Sequence, residues 1–176
     1  MADSVENTAQ IVHVGGDGSH LAIVDAEQYR SFVGDWAQDD RLRKHLINQS
    51  ARESVIAWGT GFECDWKLAI SPGISNRSGF REFESVITTK SGKLYVVNFD
   101  SLTMAAQFEN HTLPDEETAD YRFVVPPGRY RVRIVQLVDP ESKWWESLGD
   151  GPAFLIEFEP SAAGGTPAKE IPWSKF

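Results

Sequence analysis

The chain has a single cysteine, Cys64, in 176 residues. One thiol excludes an internal disulfide and a cysteine-built zinc site. Bases are scarce beside acids: 17 Lys and Arg against 26 Asp and Glu leave a net charge of −9. A protein that holds a phosphate backbone needs clustered bases, so no direct contact with nucleic acid is expected. No apolar run approaches the ~18–20 residues of a membrane span, and no membrane partner is expected. Met1 to Gln10 is polar and acidic, without a charged-then-apolar leader pattern. The expectation is a cytoplasmic protein in a reducing compartment.

Motifs that carry chemistry are missing as well. Gly15-Gly16-Asp17-Gly18 lacks the Gly-Lys-Ser/Thr ending of a phosphate loop, and a strand-like run follows it where a helix should. His13, His20, His45 and His111 form no H-x-x-x-H pair. No G-x-S-x-G elbow is present. Cys64 falls on the apolar face of an alternating run and reads as an inert core thiol. No catalytic residue, metal or cofactor is therefore expected, and the chain reads as a non-enzyme.

What is present is alternation. Ile11 to Val14 and Leu21 to Val24 are β-rich runs around the glycine cluster and predict a hairpin. Asp25 with Gln28 reads as a capping box, and Tyr29, Phe32, Val33 and Trp36 follow at helical spacing. This helix is expected to break or bend near Gly34 to Asp40, and Leu42, Leu46 and Ile47 predict a second short helix to about Asn48. Val55 to Trp58 is a short strand. Phe62, Cys64, Trp66, Leu68 and Ile70 alternate with polar or small residues and predict a longer one. Phe80 to Thr89 and Leu94 to Phe99 flank a Lys90–Lys93 turn and read as a second hairpin. Thr118 to Val125 and Tyr130 to Val138 flank Pro126-Pro127-Gly128 and read as a third. Ala153 to Phe158 is the last strand. The fold class is mainly β, an antiparallel β-sandwich with one or two N-terminal helices packed on it. Residues 1–160 read as one domain and 161–176 as a flexible tail, whose Ile171-Pro172-Trp173 is apolar enough to dock.

The charge is unevenly placed. Residues 1–40 carry −7, 101–120 carry −5 and 139–159 carry −5, with basic segments between them. Asp115, Glu116, Glu117 and Asp120 form the densest acidic loop. Such a loop either serves solubility as a solvated surface or steers a basic partner. Trp36, Trp58 and Trp66 sit on periodic patterns and read as core. Trp144 and Trp145 lie in a polar stretch, where a loop tryptophan either caps a sheet end or anchors an interface. Arg129, Arg131 and Arg133 share one strand face, with Arg122 opposite. Cross-strand acids are expected to hold them, so this strand is not the main binding surface.

The order Leu94-Tyr-Val-Val-Asn-Phe-Asp100, an acidic linker, then Tyr121 to Ile134 with its Pro127-Gly128-Arg129-Tyr130-Arg131-Val132 turn, resembles the competence-protein-J-type nuclease inhibitors. It is similar also to immunity proteins of bacterial toxin systems. The resemblance covers about a third of the chain and is carried by strands and a turn. It supplies no counterpart for the helical segment or the tail, and no functional residue. It implies an inhibitor that binds a basic protein partner, a toxin or nuclease domain, and neutralises it. The expected contact residues are Asp115, Glu116, Glu117, Asp120, Trp144 and Trp145. A non-catalytic sandwich that binds sugar or lipid, and a small-molecule enzyme using surface carboxylates, are the alternatives.

Overall fold

The computed structural model describes residues 9–16 and 18–175. Two sheets form most of it. One has five strands in the order β1 (Gln10–Val14), β4 (Trp66–Pro72), β9 (Phe154–Pro160), β8 (Gly128–Gln136), β5 (Arg81–Thr89). The other has four: β3 (Val55–Gly59), β2 (His20–Asp25), β6 (Lys93–Asn98), β7 (Arg122–Val124). Helices α1 (Arg41–Ala51) and α2 (Phe99–Gln107) pack on the four-stranded sheet, and a short α3 (Trp144–Leu148) precedes β9.

Alternation explains the layering. Leu21 and Ile23 of β2 turn to a core shared with Leu68, Ile134 and Ile156 of the other sheet. Ala22 and Val24 turn the opposite way, onto Leu42 and Leu46 of α1 and Leu102 and Ala106 of α2. Every residue of β2 and β3 is buried, because both faces are covered. Burying a Leu or Ile side chain this way stabilises the fold by about 1.5–3 kcal/mol each.

Several expectations are corrected. None of the three expected hairpins forms. β1 pairs β4 while β2 pairs β3 and β6; β5 pairs β8 while β6 pairs β2 and β7; β7 pairs β6 while β8 pairs β5 and β9. Each of those three turns carries the chain from one sheet to the other. Arg122 therefore does not join the Arg129–Arg133 face. The sheet is not wholly antiparallel, since β4 and β9 run parallel. The helices are not confined to the N-terminal part: residues 26–37 form no helix, and α2 follows β6. Asp25 does not cap a helix. It is fully buried, and its carboxylate accepts from the N–H groups of Glu27 (2.9 Å) and Lys90 (3.0 Å). The strand expected from Phe62 begins at Trp66, which leaves Phe62 exposed and Cys64 half-buried in a loop. Burial, then the charge of Asp65, pushes the Cys64 thiol up to about 11, so it stays protonated and inert.

The arginine face of β8 is occupied from within. Arg131 pairs with Glu159 at 2.8 Å, Arg133 with Glu157 at 2.8 Å, and Arg129 with Glu53 at 2.8 Å. Residues 73–80 lie over Arg133, whose guanidinium donates to the carbonyls of Ser75 (3.2 Å) and Arg77 (2.8 Å).

The end of the chain docks along the β3 and β5 edges. Pro172's carbonyl accepts from the N–H of Gly59 at 2.8 Å, Ile171 is buried, and the Trp173 ring meets Phe83 edge-on at 5.0 Å. The hydroxyl of Ser174 lies 2.8 Å from His20 Nε2. Burial holds the His20 imidazole down to about 4. Its unfolded value is ~6.5. Between those values the unfolded chain takes up a proton that the folded chain refuses, so stability falls as pH drops through the window and is unaffected above it. The full shift is worth about 3 kcal/mol, and residual solvent contact reduces the expectation to about 1–2 kcal/mol. Urea midpoints at pH 7 and pH 4.5 check this: His20→Gln should shrink the difference, and an unchanged difference would remove His20 as its source.

Candidate functional site at the acidic end

Strand register brings the acidic segments together. β1, β3, β6 and β8 end, and β2, β4, β7 and β9 begin, at one end of the two sheets. The loop holding Asp115, Glu116, Glu117 and Asp120 enters β7 there, and the α3 loop enters β9 there.

A chain of contacts links the two loops. Asn98 caps α2 by accepting from the Ser101 N–H at 2.9 Å. Its amide donates to Glu117 at 3.1 Å and to the Gly15 carbonyl at 2.8 Å. Gly15 lies against the Asp65 carboxylate: a Cβ there would sit 3.3 Å from its carbon. Asp65, Lys67, Leu148 and Asp150 then line a cleft of about 190 Å³ with His13, and Lys67 Nζ donates to the Asp150 carbonyl.

The four loop acids differ in what they do. Asp115 holds the loop's shape. Its carboxylate accepts from the Thr118 N–H (3.0 Å) and hydroxyl (2.7 Å), and His111 stands 3.1 Å away. Burial disfavours its charge, but the nearby Ser101 hydroxyl and the hydrogen bonds from Thr118 and His111 outweigh that and hold the carboxyl below the usual range. Glu116 and Asp120 are exposed, and Glu117 is exposed but tied to Asn98. Tyr121 registers the local field. Burial first, then the charges of Glu117, Asp65 and Asp120, pushes its phenol up, against a smaller opposing effect of the Gly15 backbone. Trp145 is 55% exposed on α3 and Phe62 is 49% exposed in the loop before β4, so the acidic end also presents aromatic surface. Trp144 opens α3, and its side chain lies outside the described residues.

Sequence reasoning missed Asn98 and Phe62. Asn98 had a usable signal, as an Asn followed three residues later by Ser before Leu102 and Ala105-Ala106. Phe62 had none, because it continues the Phe62-to-Ile70 alternation. Among the described residues, no group of three or more His, Cys, Asp or Glu side chains is placed to hold a metal ion. No described helix is long and apolar enough to cross a membrane. The cleft at the acidic end is smaller than the ~300–1,000 Å³ usual for small-molecule sites.

No protein-family model matches the chain, and no curated protein does. Two solved structures share its fold. The protein of crocagin biosynthetic gene J superposes with a TM-score of 0.54 at 17% identity, over 88% of this chain and 96% of its own. ComJ of Bacillus subtilis, inhibitor of the DNA-degrading activity of NucA, superposes with a TM-score of 0.52 at 8% identity, over 88% of this chain and 97% of its own. The likeness to the nuclease-inhibitor type, first read from the Leu94–Ile134 segment, thus extends to nearly the whole fold.

Proposed function

We propose that this chain is a non-enzymatic inhibitor that binds and neutralises a basic protein, a nuclease-type toxin domain, in the cytoplasm. The observation that carries this is the shared fold with ComJ, an inhibitor of a DNA-degrading activity. We take the two sheets as one β-sandwich and its acidic end as the binding surface. Carboxylates there meet the bases with which a nuclease holds phosphate, and the field speeds encounter.

The division of labour among the acids sets the test. Asp115 is kept, because it shapes the loop. Glu116→Gln, Glu117→Gln and Asp120→Asn are combined, and Trp145→Ala is made separately. The probe is a panel of purified nuclease domains, NucA among them. The triple variant should lower the association rate about tenfold at low salt and flatten its salt dependence. Trp145→Ala should raise the dissociation rate. Wild-type association that is slow and indifferent to salt, with DNA cleavage unaffected, would remove this reading.

A further inference from the structure

We infer that the partner's apolar foothold is the outer face of α2 with the loop beside it, an inference that rests on the reading of this chain as an inhibitor of a basic protein. Three large apolar side chains stand exposed there: Phe32 at 47%, Met104 at 42% and Phe108 at 44%. They share one neighbourhood. The Phe108 N–H donates to the Met104 carbonyl at 3.0 Å, one turn along α2. The N–H groups of Val33 and Gly34 both donate to the Ala106 carbonyl, at 2.8 and 3.0 Å, which fastens the Phe32 loop to the last turn of the same helix. A cavity of about 390 Å³ opens beside Phe32, between Tyr29 and Leu113. Single exposed apolar residues are ordinary on a protein surface, but Phe32, on the cavity's rim and in a loop fastened to the helix end that carries Met104 and Phe108, makes with them a patch with room for an inserted side chain.

Charge says what covers it. The two segments that build the patch, 31–40 and 99–121, carry nine Asp and Glu and no Lys or Arg. An apolar centre in an acidic surround fits a basic segment that presents an apolar side chain between lysines or arginines. A second copy of this chain would set the acidic surround against itself. Arg30 lies on the cavity rim, where it opposes a basic partner. Met104 and Phe108 of the patch share segment 99–121 with the acidic loop, so one partner can engage both: the loop steers, and the α2 face holds.

The experiment measures binding of the nuclease domain, from a purified panel that includes NucA, that this chain holds most tightly. Met104→Asp and Phe108→Asp change exposed positions, and thermal melts verify that both variants fold. Each should weaken the complex by about 30-fold, chiefly through faster dissociation. Arg30→Glu should tighten it about threefold at low salt. If both aspartate variants bind within about threefold of wild type while the acidic-loop triple variant loses affinity, the inhibitor reading stands and this inference falls. If light scattering finds a wild-type dimer that Met104→Asp makes monomeric, the face is a self-contact and the inference falls as well. A wild-type chain that neither binds nor inhibits any domain of the panel overturns both.

Discussion

Arg133→Met is expected to destabilise the protein by about 3–5 kcal/mol, among the largest effects of any single side chain here. The reason is what it leaves behind. The side chains of Arg133 and Glu157 are only 8% and 4% exposed, and they meet at 2.8 Å. Without the guanidinium, Glu157 keeps the Ser75 hydroxyl as a partner but has no counter-charge in a site shielded from water. The carbonyls of Ser75 and Arg77 lose their donor as well, which loosens residues 75–77 between the two ends that Gly73 and Phe80 still hold on the sheet. Replacing both members, as Arg133→Met with Glu157→Leu, should recover most of the loss, because apolar side chains of similar volume need no partner there. Arg131 supplies the control. Its pair with Glu159 is also 2.8 Å long, but the two side chains are 35% and 39% exposed, so Arg131→Met should cost no more than about 1 kcal/mol. Urea unfolding of the four proteins decides the matter. A loss below about 1 kcal/mol for Arg133→Met would show that water reaches this pair.

That pair also shows what the sequence could and could not disclose. The period-two spacing of Arg129, Arg131 and Arg133 was enough to put them on one face and to expect acids opposite. It could not show that residues 73–80 cover Arg133, since nothing local distinguishes a covering loop from a connecting one. Strand existence was legible for the same reason: alternation is a property of consecutive residues. Strand partners were not. Lys90–Lys93 and Pro126–Gly128 have the composition of hairpin turns, yet each passes from one sheet to the other, and a turn residue has the same backbone needs in both cases. The Tyr29–Trp36 spacing suited a helix, but Asp25 ties its carboxylate to Lys90, 65 residues away, and the chain after it follows that bond. The acidic loop was legible as composition. Its neighbours Asp65 and Asp150 were not, because the register of β4 and β9 brings them there. The Phe32, Met104 and Phe108 patch had no signal, since helical spacing cannot tell which apolar side chains remain uncovered.

Gly59→Ala is expected to release the end of the chain and to cost nearly as much as deleting it. Gly59 has an ordinary backbone conformation, so alanine brings no dihedral penalty of its own. What it brings is a methyl group 2.7 Å from the carbonyl carbon of Trp173, and closer still to the oxygen. That contact is with backbone, in a residue already held at φ +61°, so it has little freedom to move aside. Release would forfeit the Gly59–Pro172 hydrogen bond, the burial of Ile171, and the stacking of Arg81 over the Trp173 ring at 4.4 Å. Those are worth about 1, 1.5–3 and 0.5–2 kcal/mol, and ordering of the freed segment offsets part of the sum. A loss of about 2–4 kcal/mol follows for Gly59→Ala, and a similar one for a chain ending at residue 165. The decisive measurement is the combination of the two changes. If alanine acts through the tail, the shortened chain has nothing left for the methyl group to strike, and the double change should be no less stable than the truncation alone. Additive losses would instead place the cost of alanine within β3, and the tail would then be an ornament on the β3 edge and not a part of it.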